Sequence, residues 1–292
     1  MLHLSALISG LGLGSMYGLM ALGFHVTHAV SGTVNFAQGS SMMLGAVLCY
    51  ALAQGAGWPL PLAALLALAG CAAYGLLVER LAVRPFASRG SNAWLMSTVA
   101  LGIVLDNLVM FAFGKEPRSL PSPLATTPIE LGAVGLGVYP LQLLIPLVGL
   151  ALAGALHGVA RHTRWGVAML AVVQNPAAAR LMGIPIQRVI AVAFALSTLF
   201  AGVAGVLIAP LFNVHADMGT LFGLKAFAVA MLGGIASAWG VMAAGLLFGI
   251  SEALITSTLG SSYTQIISFS LVILVLACKP NGLFGRMEVK KV

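Results

Sequence analysis

At 292 residues, 60% hydrophobic and only 7% charged, with a mean hydropathy of +1.04, this chain is too apolar for a soluble domain, in which about a quarter of residues are charged. A polytopic membrane protein is the class that remains. The formal charge of +7 does not point to nucleic acid, because the basic residues lie between apolar segments and at the C-terminus, where they report topology. A spanning helix needs about 20 mainly apolar residues. The first candidate is Leu4 to Phe24; with no basic region before it, it reads as a retained span rather than a cleaved signal peptide. Its Gly10, Gly14 and Gly18, like Gly245 and Gly249 later on, have the spacing that lets helix backbones approach closely.

The next stretch, Thr33 to Ala53, is ambiguous. It follows Gly32 and opens with Asn35, Gln38, Ser40 and Ser41. A glycine-flanked polar break of this kind is how transporters expose polar groups to a pathway; the alternative is an ordinary loop end. Leu60 to Leu77 is a span, followed by a loop from Glu79 to Ser91 holding Arg80, Arg84 and Arg89. Trp94 to Phe113 carries Asp106 and Asn107 within an apolar run. From Gly114 to Tyr139 the charges cancel, and Pro117, Pro121, Pro123 and Pro128 predict an irregular external loop.

Leu141 to Val159 and Val189 to Leu211 are spans, and the segment between them holds Arg161, Arg164, Arg180 and Arg188 without an acid. Such a loop is expected on the cytoplasmic side. Gln174 to Gly183 reads as one short amphipathic helix, with Ala178, Leu181 and Met182 on a shared face and Gly183 as its stop. It suits the docking of a soluble partner that supplies energy. Gly223 to Ile235 is short, glycine-rich and contains Lys225; Val241 to Ile255 contains Glu252; Ile266 to Cys278 closes the series. A tail with Lys279, Arg286, Lys290 and Lys291 against Glu288 is expected in the cytoplasm. Asp106 and Glu252 at membrane depth need partners, through a structural hydrogen bond or a place on a pathway.

The expectation is an all-α polytopic bundle of eight or nine transmembrane segments, two of them broken or half-length. It forms a single membrane domain over residues 1–292, with the cytoplasmic docking loop at about 161–188. On the nine-span count the N-terminus is external. Cys49, Cys71 and Cys278 lack disulfide or metal spacing, and the six histidines form no HExxH pair. Gly114-Lys115 is followed by Glu116, and no phosphate-cradling GxxxxGK[ST] loop exists, so the chain is not expected to act as an ATPase. A secondary transporter, with Asp106, Lys225 and Glu252 as coupling groups, is the main rival; an intramembrane enzyme lacks a nucleophile and base pair.

Several blocks carry a resemblance. They are Gly14-Ser15-Met16-Tyr17-Gly18-Leu19 with Ala21-Leu22-Gly23, then Gly32-Thr33-Val34-Asn35-Phe36-Ala37-Gln38-Gly39 (an NFAxG pattern), Arg84-Pro85 and Leu101 to Leu108. Further along are Arg164 to Arg188, Lys225-Ala226-Phe227 through Leu232-Gly233-Gly234-Ile235 with Gly240, and Gly249-Ile250-Ser251-Glu252-Ala253. Over nearly its whole length the chain resembles the LivH-type permease subunits of branched-chain amino acid ABC importers. It departs from them at Leu170, where many relatives carry arginine, and at Asp106, where glutamine is commoner.

The resemblance implies a bacterial inner-membrane subunit paired with a LivM-type permease, two cytoplasmic ATPase subunits and a periplasmic substrate-binding protein. ATP and magnesium would sit on the ATPase subunits, with no cofactor, metal or catalytic residue on this chain. Leucine, isoleucine and valine are the default cargo, with urea or short amides as alternatives. Tyr17, Asn35, Gln38 and Lys225 become candidates for the translocation path. Arg164, Gly166, Gln174, Asn175, Ala178, Ala179, Leu181, Met182 and Gly183 become candidates for ATPase coupling.

Overall fold

The computed structural model describes residues 2–87, 90–131 and 136–285, and helices dominate it. In lipid every backbone polar group must be satisfied within the chain, which selects helices for the apolar segments. Helix α1, Leu2–Ser31, runs 30 residues, about 45 Å, well beyond the expected stop at Phe24. It ends where Gly32 takes φ +67 and its N–H closes on His28 O at 2.9 Å. After a short irregular stretch, α2 covers Gln38–Tyr50 and continues through a wide turn at Ala51–Gly55.

Helix α3, Leu60–Val78, also continues through a wide turn, Glu79–Val83, into Arg84–Ala87. The expected loop from Glu79 is therefore helical as far as Ala87. The reason is local charge pairing. Arg84 donates from Nε and Nη2 to the two oxygens of Glu79, at 3.0 and 2.9 Å, so the buried carboxylate is neutralised in place. Arg89 lies outside the described residues.

Helix α4, Trp94–Phe113, ends at Gly114 with φ +90. The segment after it is more ordered than its prolines suggest. It contains one helical turn, Pro123–Thr126, and an antiparallel hairpin of β1, Ile129–Leu131, with β2, Leu136–Val138, in the register Ile129↔Val138. Arg118 adds a two-bond bridge to Val214. Its guanidinium also lies 4.5 Å from the Phe113 ring centroid.

The later helices are α5, Pro140–His162; α6, Arg164–Gln174; α7, Pro176–Leu181; α8, Ile186–Ile208; α9, Met218–Gly233; α10, Ala238–Leu259; and α11, Ser261–Cys278. Among the described residues, seven helices are long and apolar enough to cross a membrane. Helices α2 and α9, with 13 and 16 residues, are shorter than a full span. Seven long helices and two short ones fit the expected eight or nine segments. Of the C-terminal tail, Arg286, Glu288, Lys290 and Lys291 lie outside the described residues.

The chain divides into two compact units, and three of the four boundaries between them fall inside α1, α5 and α9. The first comprises Met1–His25, Pro123–Ala153 and Lys225–Val292. Within it α1 meets α10, and glycines of both helices approach backbone to backbone. A Cβ on Gly14 would lie 2.6 Å from Gly245 O and 2.8 Å from Leu246 Cα. The second comprises Val26–Ser122 and Gly154–Leu224. There α2, α3 and α8 pack together through Gly45, Cys71 and Gly202.

Candidate functional site

Three places in these units carry chemistry. The first is the break before α2. Asn35 Oδ1 accepts a hydrogen bond from the Ala37 N–H at 3.1 Å, which folds the chain into the helix start. Gln38, the first residue of α2, then reaches across to α8. Its Nε2 donates to Ser197 O at 3.0 Å, and its Oε1 accepts from Ser197 Oγ at 2.9 Å and from Asn35 Nδ2 at 3.4 Å. Asn35, Gln38 and Ser197 are all fully buried. Polar groups at this depth are tolerated because they satisfy one another. The cluster has no charged member, and it can hold or orient a polar solute only by exchanging these bonds.

The second place lies in the first unit. Lys225 of α9 forms an ion pair with Glu252 of α10, and its Nζ stands 3.4 Å from the Tyr17 hydroxyl of α1. The three are 5%, 7% and 1% exposed, so this is a buried charge pair. The Tyr17 ring meets Phe248 edge-on, with centroids 5.6 Å apart. Removing one member of such a pair leaves an uncompensated charge and costs about 3–5 kcal/mol. Glu252 Oε2 is buried without a hydrogen-bond partner. Tyr17 and Lys225, both expected near a path, are thus brought together, and Asn35 and Gln38 are brought together separately. Glu252 was visible in the sequence as an acid in an apolar run, but its pairing with Lys225 was not. Ser197 gave no signal, being an ordinary hydroxyl residue on an apolar helix.

The third place is the segment between α5 and α8. The expected single helix from Gln174 to Gly183 is instead split. Gln174 ends α6, and Asn175 leaves the helical conformation to cap α7, its Oδ1 accepting from the Ala178 N–H at 3.0 Å. Pro176 follows at the first helical position, where its missing N–H costs nothing. Thr163 caps α6 in the same way through the Gly166 N–H at 3.0 Å. Gly166 is buried so tightly on the end of α5 that a Cβ would meet the backbone of Val159 and Ala160.

Within α7, Ala179 faces inward at 3% exposure, while Leu181 and Met182 stand out at 89% and 82%. Ala178 is also exposed. Gly183 closes the turn with φ +81, which L side chains rarely adopt. Arg161, Arg164, Arg180 and Arg188 are all exposed. Two hollows of about 400 Å³ flank the protrusion, one lined by Ile184, Pro185, Gln187 and Arg188 and the other by Pro176, Ala177 and Leu181, with Arg180 and Ile186 common to both. Exposed apolar knobs beside hollows that Arg180 and Arg188 help to line form a surface suited to a soluble acidic partner.

Comparison with known proteins gives a consistent answer. A family described as branched-chain amino acid transport system / permease component matches residues 6–276. The chain is 35% identical over 301 residues to the high-affinity branched-chain amino acid transport system permease protein LivH of Escherichia coli, covering 99% of this chain and 97% of that one. It is 34% identical over 303 residues to the permease protein BraD of Pseudomonas aeruginosa, with coverages of 99% and 98%. A probable LivH of Methanocaldococcus jannaschii is 28% identical over 279 residues, with coverages of 91% and 88%. Among solved structures, a chain of PsaBC from Streptococcus pneumoniae in complex with Fab gives a TM-score of 0.48 at 14% identity over 92% of this chain and 90% of that one, a likeness too low to bear on function.

Proposed function

This chain belongs to the branched-chain amino acid transport permease family, and from that premise we propose that it forms, with a LivM-type partner, the membrane path of an ATP-driven importer for branched-chain or related amino acids. It is a transport subunit and not an enzyme, as its relatives are. The energy comes from two cytoplasmic ATPase subunits that carry ATP and magnesium, and a periplasmic binding protein delivers the cargo. The chain sits in the bacterial inner membrane with its C-terminus in the cytoplasm, the side favoured by the arginines around α6 and α7.

The observation that carries this reading is the protruding pair Leu181 and Met182 on an acid-free, arginine-bearing segment between two spans. It is the docking knob for an ATPase subunit, with Asn175 and Gly183 fixing its turn and Gly166 seating α6 against α5. Vesicles holding this chain and its partner permease should stay inactive until ATPase subunits, binding protein and ATP are supplied. Accumulation of leucine driven by an ion gradient alone would replace the importer with a secondary transporter.

In this proposal Tyr17 with Lys225, within the first unit, and Asn35 with Gln38, within the second, each belong to the translocation path. They are buried polar groups within or beside the apolar segments, and such groups mark solute routes. Gln38 is fully buried here, so it must become accessible in another state of the cycle. In a Cys278→Ser background, Gln38→Cys should react with a small water-soluble thiol reagent while the complex turns over. Full protection in every nucleotide and binding-protein state would count against a path at Gln38.

A further inference from the structure

We propose that Lys225 and Glu252 read the two charges of an amino-acid zwitterion: the Lys225 ammonium takes the substrate carboxylate, and the Glu252 carboxylate takes the substrate ammonium. In the structure each serves as the other's stand-in for substrate. This rests on the importer reading of the chain and names the recognition chemistry on its path.

Three observations support the assignment. The charges are opposite, adjacent and on different helices, α9 and α10, so a small relative displacement of side chains separates them. Their bonding is incomplete, because Glu252 Oε2 is buried without a hydrogen-bond partner. A carboxylate has about four acceptor sites and an ammonium three donors, so this oxygen has spare capacity for a primary ammonium group. The surroundings are apolar: Phe248 packs on Tyr17, and α1 and α10 meet through glycines nearby in the same unit. In such surroundings neither charge can be left alone.

That last point yields selectivity. The pair can part only when both charges acquire new partners together. A zwitterion brings both. An amine or a monocarboxylate brings one and strands the other charge, while urea or a short amide brings neither. Discrimination therefore comes from the cost imposed on the wrong solute as well as from attraction to the right one. A purely structural tie would not need charges here, since a buried ion pair can be replaced by apolar side chains with little loss of stability or with a gain.

The test uses the whole complex in vesicles, with L-leucine as cargo and the double variant Lys225→Met/Glu252→Leu. The variant should assemble and melt with the parent or above it, and loaded binding protein should still stimulate ATP hydrolysis. Leucine uptake should fall by about a hundredfold, reflecting lost charge-assisted bonds at both ends of the cargo. Should the double variant fail to assemble, Lys225→Met/Glu252→Gln, which leaves no charge at either position and keeps nearly the same volume, is measured instead and should show a comparable fall. Uptake at the parental rate in either variant overturns the proposal. So does uptake lost together with stimulated ATP hydrolysis, because the pair would then hold the machine together rather than read cargo. Absence of ATP-driven leucine uptake by the parent complex would instead remove the importer reading itself.

Discussion

Replacing Leu181 and Met182 with aspartate is expected to abolish transport while leaving the chain folded and inserted. Both side chains stand almost clear of the protein, at 89% and 82% exposure, so neither contributes to its own packing. If they seat in a groove of an ATPase subunit, each aspartate would enter that groove as an unpaired carboxylate. Loss of an apolar anchor at the centre of an interface costs about 2 kcal/mol or more, roughly a thirtyfold loss of affinity. Two adjacent losses should detach the ATPase subunits at working concentrations. The measurement is co-purification of ATPase subunits with the variant, together with leucine uptake. Normal recovery of both would place the docking surface elsewhere. Ala179 is a poor site for this experiment, because it is 3% exposed and a bulky group there would break the turn before it tested docking.

Much of this architecture could be read in the sequence, because membrane depth is written in composition. The long apolar runs gave the spans, and the arginines between Arg161 and Arg188 marked a segment distinct from them. The break at Gly32 to Gln38 was also legible, since polar residues behind a glycine interrupt an otherwise apolar run. The boundaries were less so. Charge places a residue near the membrane surface but does not end a helix, and Arg84 neutralising Glu79 lets α3 run on to Ala87. At Asn175-Pro176 the signal was present, a capping side chain followed by proline, but the apolar face of Ala178, Leu181 and Met182 suggested one continuous helix. What the sequence did not contain was pairing across helices. Gln38 meets Ser197 over a separation of 159 residues, and Lys225 meets Glu252 over 27. Such partnerships depend on which faces pack, and periodicity alone does not choose among faces.

The same distinction sets the second large effect. The spacing of Gly10, Gly14 and Gly18 announced a smooth helix face, but only the fold shows that this face receives Gly245 and Gly249 of α10. Gly249→Leu should therefore be strongly destabilising. A Cβ there would overlap Gly14 Cα and N and reach 2.5 Å from Gly10 O. These are backbone atoms, which cannot swing aside as a side-chain end can. Overpacking ordinarily costs about 1–3 kcal/mol, and a backbone-to-backbone contact should sit at or above the upper end of that range. Gly154→Ala supplies the contrast, because nothing lies within 4 Å of the added methyl. Ala in place of Gly inside a helix should gain about 0.5–1 kcal/mol. Thermal melting of the purified full-length chain in detergent compares the two, with opposite signs expected. If Gly249→Leu melts with the parent, α1 and α10 do not meet at these glycines, and the frame that holds Tyr17 beside Lys225 and Glu252 must be redrawn.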